Sequence, residues 1–330
     1  MVLNASQKLI MRLLFVNGPM SNKKIARLLG ISNAGTTLTL RPLLDCGLLV
    51  RVKKIVNGLV GRNEELIGIN AKFGYFLGID KRLRNYYVKL IDLSGRTLVD
   101  FATPLVPELK KFILELKENY QNILAVGVTV RNFSSPEAYK EVNPELIQAL
   151  DEIGLDYYLT NNVEALAYIH ALYNPEDQNF LLVKYGPGLG SSIFVGGKPV
   201  KKENGIPSQL GHARLSDGRK IEDILRFSTL LGQEYDEKDG APLILQNQEA
   251  IDTIVKTLCF TIADANVMLA LDSLIFAGVV LTDEGVLSRL KEALAEFEPD
   301  FDLNIIKPYD DYAIKADEKA ALYALIKFTL

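Results

Sequence analysis

The chain has 330 residues, of which 48% are hydrophobic and 24% are charged. This length suggests two or three domains, and the composition excludes an intrinsically disordered protein. No apolar run approaches the roughly 20 residues that cross a bilayer, and the first residues lack a convincing signal-peptide core. The two cysteines, Cys46 and Cys259, are too far apart in sequence to suggest a metal site, so we expect a reduced, cytoplasmic protein.

The net charge of −4 is unevenly distributed along the chain. Residues 1–70 contain ten Lys or Arg against three Asp or Glu, a balance of +7, so the remaining residues together carry −11. A basic segment joined to an acidic one is typical of a protein whose N-terminal part meets a polyanion. Clustering of the charges by chance is the alternative.

Three short helices are predicted at the start of the chain. A helical stripe of apolar residues runs through residues 6–18 and stops at Gly18. Ser21 is placed to cap a second helix, and Ser32, after a turn that contains glycine, is placed to cap a third. Two short helices joined by such a turn form the helix-turn-helix pattern. Pro42 should kink or shorten the third helix, because proline lacks a backbone N–H.

Residues 46–62 read as two β-strands with a turn at Asn57-Gly58, which would complete a winged helix-turn-helix. Short polar side chains at the start of the third helix can reach base edges in the major groove, and basic wing side chains can contact phosphates or the minor groove. A winged helix that binds protein instead is the alternative. The candidate DNA-binding residues are Ser32, Asn33, Thr36, Thr37, Arg41, Lys53, Lys54, Gly61 and Arg62.

After Asn70 the pattern changes to strands that alternate with helices. The pattern begins with three adjacent strands, continues with alternating helices and strands, and starts again near residue 179. It predicts two α/β lobes around a cleft. The predicted strands are 74–79, 86–91, 96–101, 123–130, 156–160, 179–184, 191–197 and 273–278, and the predicted helices are 106–119, 143–153, 162–173, 246–271, 283–297 and 312–328.

Four segments of this large part carry a family resemblance. They are GIDKRLRNYYVKLIDLSG (78–95), TNNVEALA (160–167), YGPGLGSSIFVGGKPV (185–200) and ENGIPSQLGHARL (203–215). With these segments, and with Gly61-Arg62 at the position of the wing motif, the chain resembles the ROK family (repressors, open reading frames and sugar kinases), specifically its regulators. The last segment is the most specific, because its length and six matching residues are unlikely together by chance.

The resemblance implies an α/β fold with three parts. Residues 1–70 would be the winged helix-turn-helix, and the rest would be a two-lobed, actin-like (ribonuclease H-like ATPase) sugar-kinase fold. The first lobe would comprise residues 71–180. The second lobe, residues 181–330, would contribute effector binding and dimerisation.

Several departures from the family pattern fall on ATP binding and proton transfer. Asn162 stands where a kinase has its catalytic base, and an amide cannot accept a proton at useful pH. Bulky residues 81–84 replace the small residues of the first phosphate turn, and Pro187 replaces a hydroxyl residue of the second. Residues 276–280 stand where the family has a run of glycines. We therefore expect no catalytic residues, no kinase activity and no ATP.

The family's sugar pocket is better retained, and the resemblance implies an effector site there. Its candidate residues are Asn161, Asn162, Gln209, His212 and Glu222. Neutral amides are adequate for binding a polyhydroxylated molecule, although not for chemistry. Four of these residues also have a structural alternative: the asparagines as helix caps, His212 as a turn cap and Glu222 as a solvated helix residue.

Other family features are expected to be lost or reused. The zinc site of the family uses the motif histidine and three cysteines, but the segment after His212 has no cysteine, so we expect no zinc. Lys81, Arg82 and Arg84 could bind a phosphorylated effector, pair with acidic groups of the other lobe, or solvate a loop. Asp80 is expected to serve hairpin hydrogen bonds, and the glycines of 186–190 a hairpin turn.

These features predict a DNA-binding transcriptional regulator that acts as a repressor of carbohydrate or polyol genes. Its partners would be a double-stranded operator, a small carbohydrate or polyol effector and a second copy of itself in a homodimer or larger homo-oligomer, with no membrane. One alternative is an active sugar kinase. The other is a DNA-binding protein whose large domain is only a dimerisation scaffold.

Overall fold

The computed structural model describes residues 3–53, 65–82, 85–130, 136–203, 205–309 and 318–329. The chain divides into two compact units: residues 1–133, 137–173 and 313–330 form the first, and residues 134–136 and 174–312 form the second. None of the described helices is long and apolar enough to span a bilayer.

The described helices and strands follow one another as a winged helix and then two α/β sets. In chain order they are α1 (Ala5–Asn17), β1 (Met20–Ser21), α2 (Asn22–Leu29), α3 (Asn33–Asp45), β2 (Leu49–Lys53), β3 (Glu65–Ile69), β4 (Tyr75–Arg82), β5 (Asn85–Asp92), β6 (Thr97–Thr103), α4 (Val106–Asn119), β7 (Ile123–Val130), α5 (Pro136–Val142), α6 (Pro144–Ile153), β8 (Tyr157–Asn161), α7 (Asn162–Tyr173), β9 (Phe180–Tyr185), β10 (Leu189–Val195), β11 (Lys198–Pro199), α8 (Ile221–Leu225), α9 (Phe227–Leu231), α10 (Glu237–Gln246), α11 (Gln248–Leu269), β12 (Ser273–Ala277), α12 (Glu284–Phe297), β13 (Ile306–Pro308) and α13 (Lys319–Thr329).

The division into units differs from the predicted bounds at two points. The first unit ends at residue 173 rather than 180, and residues 313–330 return to it instead of completing the second lobe. The predicted bounds followed chain order, because hydrophobic periodicity identifies a helix without showing which sheet it covers. The winged helix also belongs to the first unit.

The winged helix begins each of its helices at a polar cap. Asn4 and Gln7 form a capping box on α1, and the side chains of Ser21 and Ser32 accept hydrogen bonds from backbone N–H groups in the first turns of α2 and α3. Three strands complete it in the order β1-β3-β2, all antiparallel. The three helices and the caps Ser21 and Ser32 are those predicted from the sequence, whereas the capping box of α1 was not predicted.

Two details of the winged helix correct the sequence predictions. Pro42 lies inside α3, yet the helix continues to Asp45, so it is not shortened there. Proline sits in the last turn, where a single backbone donor is lost. The second wing strand is β3, which lies beyond the predicted segment 46–62. The predicted turn at Asn57-Gly58 lies outside the described residues.

The first lobe is built on a sheet with strand order β6-β5-β4-β7-β8. One face of β4 presents Leu77 and Ile79 to a core shared with α4 and α6. The opposite face carries Gly78, and Gly127 lies beside it on β7. Both glycines face the backbone of α13, where a side chain would overlap the helix. Glycine on adjacent strands therefore lets α13 lie directly on the sheet.

The second unit is built on a sheet with strand order β11-β10-β9-β12-β13. Strands β9 and β12 are parallel, and β9 and β10 form an antiparallel hairpin. Leu181 and Leu274 belong to a core that includes residues of α11 and α12, such as Leu258 and Leu290. The long helices and the eight strands lie close to their predicted positions, although residues 312–317 of the last predicted helix lie outside the described residues. The short helices α5, α8, α9 and α10 were not predicted.

Candidate functional sites

The outward face of α3 is the candidate DNA-reading surface. Thr36, Leu40 and Leu43 are buried against the winged-helix core. The opposite side of the helix therefore projects outward, with Ala34 and Leu38 exposed there. Exposed cations on the neighbouring helix α2 add positive charge; they are Lys23, Lys24 and Arg27. This combination suits a polyanion.

The predicted DNA-binding residues fall into different environments. Ser32 caps α3, and Asn33 and Thr37 are exposed at its start, where Thr37 Oγ1 accepts a hydrogen bond from Asn22 Nδ2 at 2.9 Å. Thr36 is fully buried and its hydroxyl donates to the carbonyl of Ser32 at 3.0 Å, so in this structure its side chain does not face a base edge as predicted. Sequence reasoning missed the burial of Thr36 because it chose residues by polarity and not by helical phase.

The remaining candidates, Arg41 of α3 and the residues of the wing, are only partly described. Arg41 is exposed and lies 3.7 Å from Asp45 in an i,i+4 ion pair. Lys53 ends β2 opposite Glu65. Lys54, Gly61 and Arg62 lie outside the described residues.

A groove of about 600 Å³ separates α3 from the wing strands, and it is lined by Asn22, Thr37, Leu40, Arg41, Leu44, Asp45, Gly47, Leu49, Val50, Arg51 and Ile67.

In the first lobe, the carboxylate of Asp80 is held by two cations. Its Oδ2 lies 2.5 Å from Lys319 Nζ of α13 and 2.5 Å from Arg82 Nε, and Thr129 Oγ1 donates to its Oδ1 at 2.7 Å. Burial by itself would raise the pKa of Asp80, but the charges of Lys319 and Arg82 and the hydrogen bonds outweigh it and lower that pKa. Asp80 is therefore an ionised, paired group in the folded protein.

The bond to Arg82 lies within the hairpin, as predicted for Asp80, but the bonds to Lys319 and Thr129 extend beyond it. One of its partners, Lys319, comes 239 residues later in the chain, a pairing that no local pattern reveals. The cations of the basic turn also have partners within the first unit. Lys81 Nζ donates to Asn143 Oδ1 at 2.6 Å, and Arg82 binds Asp80. Arg84 lies outside the described residues.

Asn161 and Asn162 lie at the junction of β8 and α7. The side chain of Asn161 is buried and its Oδ1 accepts a hydrogen bond from the backbone N–H of Glu164 at 2.6 Å, so it caps α7. The adjacent Asn162 is half-buried. Glu164, which sequence reasoning did not single out, is fully buried behind them. Burial first, and then the charge of Glu164, raise the pKa of Tyr168 to about 12.

The other end of α7 contacts the winged helix. Arg12 Nε of α1 donates to the carbonyl of Leu172 at 2.8 Å. The rings of Phe15 and Tyr173 meet edge to face, with centroids 6.5 Å apart. One helix of three turns therefore begins at two predicted effector-binding residues and ends against the winged helix.

In the second unit, His212 and Glu222 are brought together. His212 Nε2 lies 3.4 Å from Glu222 Oε2, and Arg226 Nη2 lies 3.3 Å from the other carboxylate oxygen. A Cβ on Gly188 would be 3.7 Å from that same oxygen, so this carboxylate borders the β9–β10 turn. Gln209 directly precedes the 3₁₀ turn Leu210–His212. The carboxylate, the imidazole and the amide give this cluster both donors and acceptors.

The β9–β10 turn that contains Gly186 and Gly188 is a hairpin turn, as predicted, closed by a hydrogen bond from Gly186 N–H to the Gly188 carbonyl at 3.1 Å. An acidic side chain lies against it. Glu237 Oε2 would be 3.1 Å from a Cβ on Gly186, and this carboxylate binds Lys184 Nζ at 2.6 Å. The side chain of Glu237 therefore occupies the space beside this turn.

The residues present do not fit the zinc site that the family implies. The described residues contain no cluster of three or more His, Cys, Asp or Glu side chains that could hold a metal ion. Cys46 belongs to the winged helix, whereas Cys259 is buried within α11. The segment after His212 contains no cysteine, so the three thiolate ligands of that site have no counterpart there.

Comparison with known proteins finds relatives for the winged helix and for the α/β part of the chain. Residues 3–57 match the model of the MarR family. The xylose repressor of Bacillus subtilis (strain 168) is 20% identical over 233 residues, which cover 64% of this chain and 60% of that protein. The match thus spans about three fifths of the length of that relative.

Solved structures reproduce the fold over most or all of the chain. The crystal structure of a ROK family transcriptional regulator, a homologue of the E. coli MLC protein, superimposes with a TM-score of 0.66 at 18% identity and covers 98% of each chain. The ROK hexokinase from Thermus thermophilus gives a TM-score of 0.60 at 16% identity, covering 77% of this chain and 99% of its own. The resemblance to the ROK family is confirmed: a winged helix that matches the MarR model is followed by the sugar-kinase-like fold of ROK proteins.

Proposed function

We propose that this chain is a cytoplasmic DNA-binding transcriptional regulator, a repressor of carbohydrate or polyol genes that senses a sugar-like effector in its kinase-like domain. The observation that carries the proposal is that the helix α7 connects the predicted effector-binding asparagines with the winged helix. It starts at Asn161-Asn162 and contacts the winged helix through Leu172 and Tyr173. The xylose repressor among its relatives supports the same class of function.

The kinase-like fold is proposed to bind without catalysing phosphate transfer. Asn162 cannot serve as a general base. Asp80, on the first phosphate hairpin, is neutralised by Lys319 and Arg82, and the Glu237 carboxylate lies against the second hairpin. Both hairpins thus lack the features that hold a nucleotide and its metal. Purified protein incubated with ATP, Mg²⁺ and a sugar panel should show no turnover, and measurable turnover would favour the kinase alternative.

The central experiment tests DNA binding and its control by a sugar. The full chain is first used to select its preferred duplex from a random library. Binding to that duplex is then titrated with xylose, glucose, myo-inositol and their phosphates. We expect one of these compounds to weaken DNA binding by at least about fivefold, the lower range of allosteric coupling. Failure to select any duplex would defeat the proposal, and selection without any effector response would favour the scaffold alternative.

The contact between α1 and α7 gives a prediction about coupling. Arg12→Ala removes the bond to the Leu172 carbonyl and leaves the ring contact of Phe15 with Tyr173. It should keep operator affinity within about twofold while reducing the effector response severalfold, because α7 is then held less firmly against the winged helix. Ser6→Ala, at an exposed position of the same helix, is the matched control and should keep the full response. An Arg12→Ala protein that responds like wild type would exclude this route.

A homodimer is proposed to form through α11. Three of its side chains are exposed and apolar: Phe260 is 41% exposed, Val267 73% and Met268 75%. Lys256 lies four residues before Phe260 and Asp264 four residues after it, and both side chains are exposed. Antiparallel pairing of two copies about a two-fold axis at Phe260 would place each lysine opposite Asp264 of the partner subunit. The surface is therefore complementary to itself.

Charge substitutions test this dimer surface. Lys256→Glu places a carboxylate opposite Asp264 of the partner subunit. The repulsion should raise the dimer Kd, measured by sedimentation equilibrium, at least about tenfold. The double variant Lys256→Glu/Asp264→Lys restores opposite charges and should recover most of the affinity. Lys198→Glu, an exposed lysine on β11, is the control for net charge. Unchanged association of the single variant would exclude this surface.

A further inference from the structure

The most exposed large apolar side chain of the described winged helix is Leu38, at 71% exposure, in the middle of α3. It lies on the face opposite buried Thr36, Leu40 and Leu43. Ala34, one turn earlier, is also exposed, so the two side chains form an apolar strip on the outward side of the helix. Neither residue is used by the polar contacts predicted for DNA.

The strip is bordered by positive charge. Arg41 lies one turn beyond Leu38, and Lys23, Lys24 and Arg27 are exposed on α2. Asp45 is the acidic residue of α3, and Arg41 lies 3.7 Å from its carboxylate. An apolar strip bordered by cations is suited to a polyanion that also presents apolar groups between its charges. A neutral protein surface would offer these cations no partners of opposite charge.

Among the base edges in the major groove, thymine alone presents a methyl group. We propose that Leu38, together with Ala34, packs against thymine C5-methyl groups of the operator and makes the protein select T at one or two positions in each half-site. The inference rests on the proposed DNA binding and deepens it, because it assigns sequence selectivity to apolar side chains. Arg41 and the α2 cations then fix the register through phosphates.

The test replaces thymine by deoxyuridine, which removes the methyl group and leaves the hydrogen-bonding edge unchanged. Each thymine of the selected duplex is replaced in turn, and Kd is measured for wild type and Leu38→Ala at fixed salt. For wild type we expect a loss of about three- to tenfold at one or two positions, the effect of burying about one methyl group. For Leu38→Ala we expect weaker binding to the thymine duplex and no further loss with uracil at those positions.

Controls separate this inference from folding and from the proposed function. Leu38→Ala should melt like wild type, since its side chain is exposed, and Leu114→Ala, an exposed leucine of α4, should keep the thymine preference. Equal affinity of wild type for every uracil duplex, or an undiminished uracil effect in Leu38→Ala, would overturn the inference while DNA binding stands. Failure of wild type to bind any duplex would overturn both.

Discussion

Replacing Lys319 by methionine should lower the free energy of unfolding by about 3 kcal/mol, because it leaves the carboxylate of Asp80 buried with less charge compensation. The Asp80 side chain is 4% exposed and that of Lys319 8% exposed. Arg82 and Thr129 remain as partners of Asp80, which places the effect at the lower end of the range for broken buried pairs. Urea denaturation measures the loss.

The effect of Lys319→Met should depend on pH in a defined direction. The pKa of Asp80 is lowered in the folded protein, so the ion pair stabilises above the ordinary carboxyl pKa of 3.8 and loses this contribution as pH falls through the folded pKa. The difference between wild type and variant should therefore be largest near pH 7 and shrink in acid. A difference that stays constant down to pH 3 would show that lost packing, not charge, causes the destabilisation.

Two further variants complete the test of the Asp80 pair. Lys327→Met changes an exposed lysine on the same helix and should lower stability by less than about 1 kcal/mol. The double variant Asp80→Asn/Lys319→Met removes both charges and should be more stable than Lys319→Met alone. If the double variant is less stable than the single one, the uncompensated charge is not the cause.

Gly127→Ala should destabilise the first lobe by about 3 kcal/mol, because its Cβ would overlap the carbonyl oxygen of Ala320 in α13. The obstacle is main chain and not a side chain that can turn aside, so the helix must move away from the sheet. That movement would also disturb the contact between Gly78 and Ala321 and the position of Lys319 beside Asp80. Thermal and urea unfolding measure the change.

Gly188→Ala is the matched control for Gly127→Ala. A Cβ at this position meets nothing closer than 3.7 Å, which is ordinary contact, so the loss should stay below about 1 kcal/mol. Adding Ala320→Gly to Gly127→Ala should not restore stability, since the carbonyl oxygen remains in place. Restoration by that second change would mean that α13 approaches the sheet through side chains.

The periodic parts of the fold were predictable, and so were their caps. Ser21 and Ser32 begin helices as expected, and α4 and α7 have the predicted bounds. These elements depend on neighbouring residues, which a sequence pattern reports directly. The resemblance to the ROK family supplied the arrangement of the lobes, which local patterns alone do not determine.

The candidate sites were predicted less well, because they depend on contacts between distant segments. The bond of Asp80 to Lys319 joins the first strand of the lobe to its last described helix, and the bond of Arg12 to Leu172 joins α1 to α7. Thr36 was chosen for polarity, although the spacing of Leu40 and Leu43 sets the buried side of α3. The same helical spacing puts Leu38 on the outward side, so its exposure follows from the apolar pattern of the sequence.

The placement of α13 on the first sheet has a consequence for biosynthesis. A ribosome makes strands β4 to β8 early, then the whole second unit, and only afterwards the helix that covers Gly78 and Gly127. Until residues 318–329 emerge, the two glycines lack the helix that lies on them and Asp80 lacks its lysine. A premature stop codon in the second unit would therefore damage the lobe that precedes it.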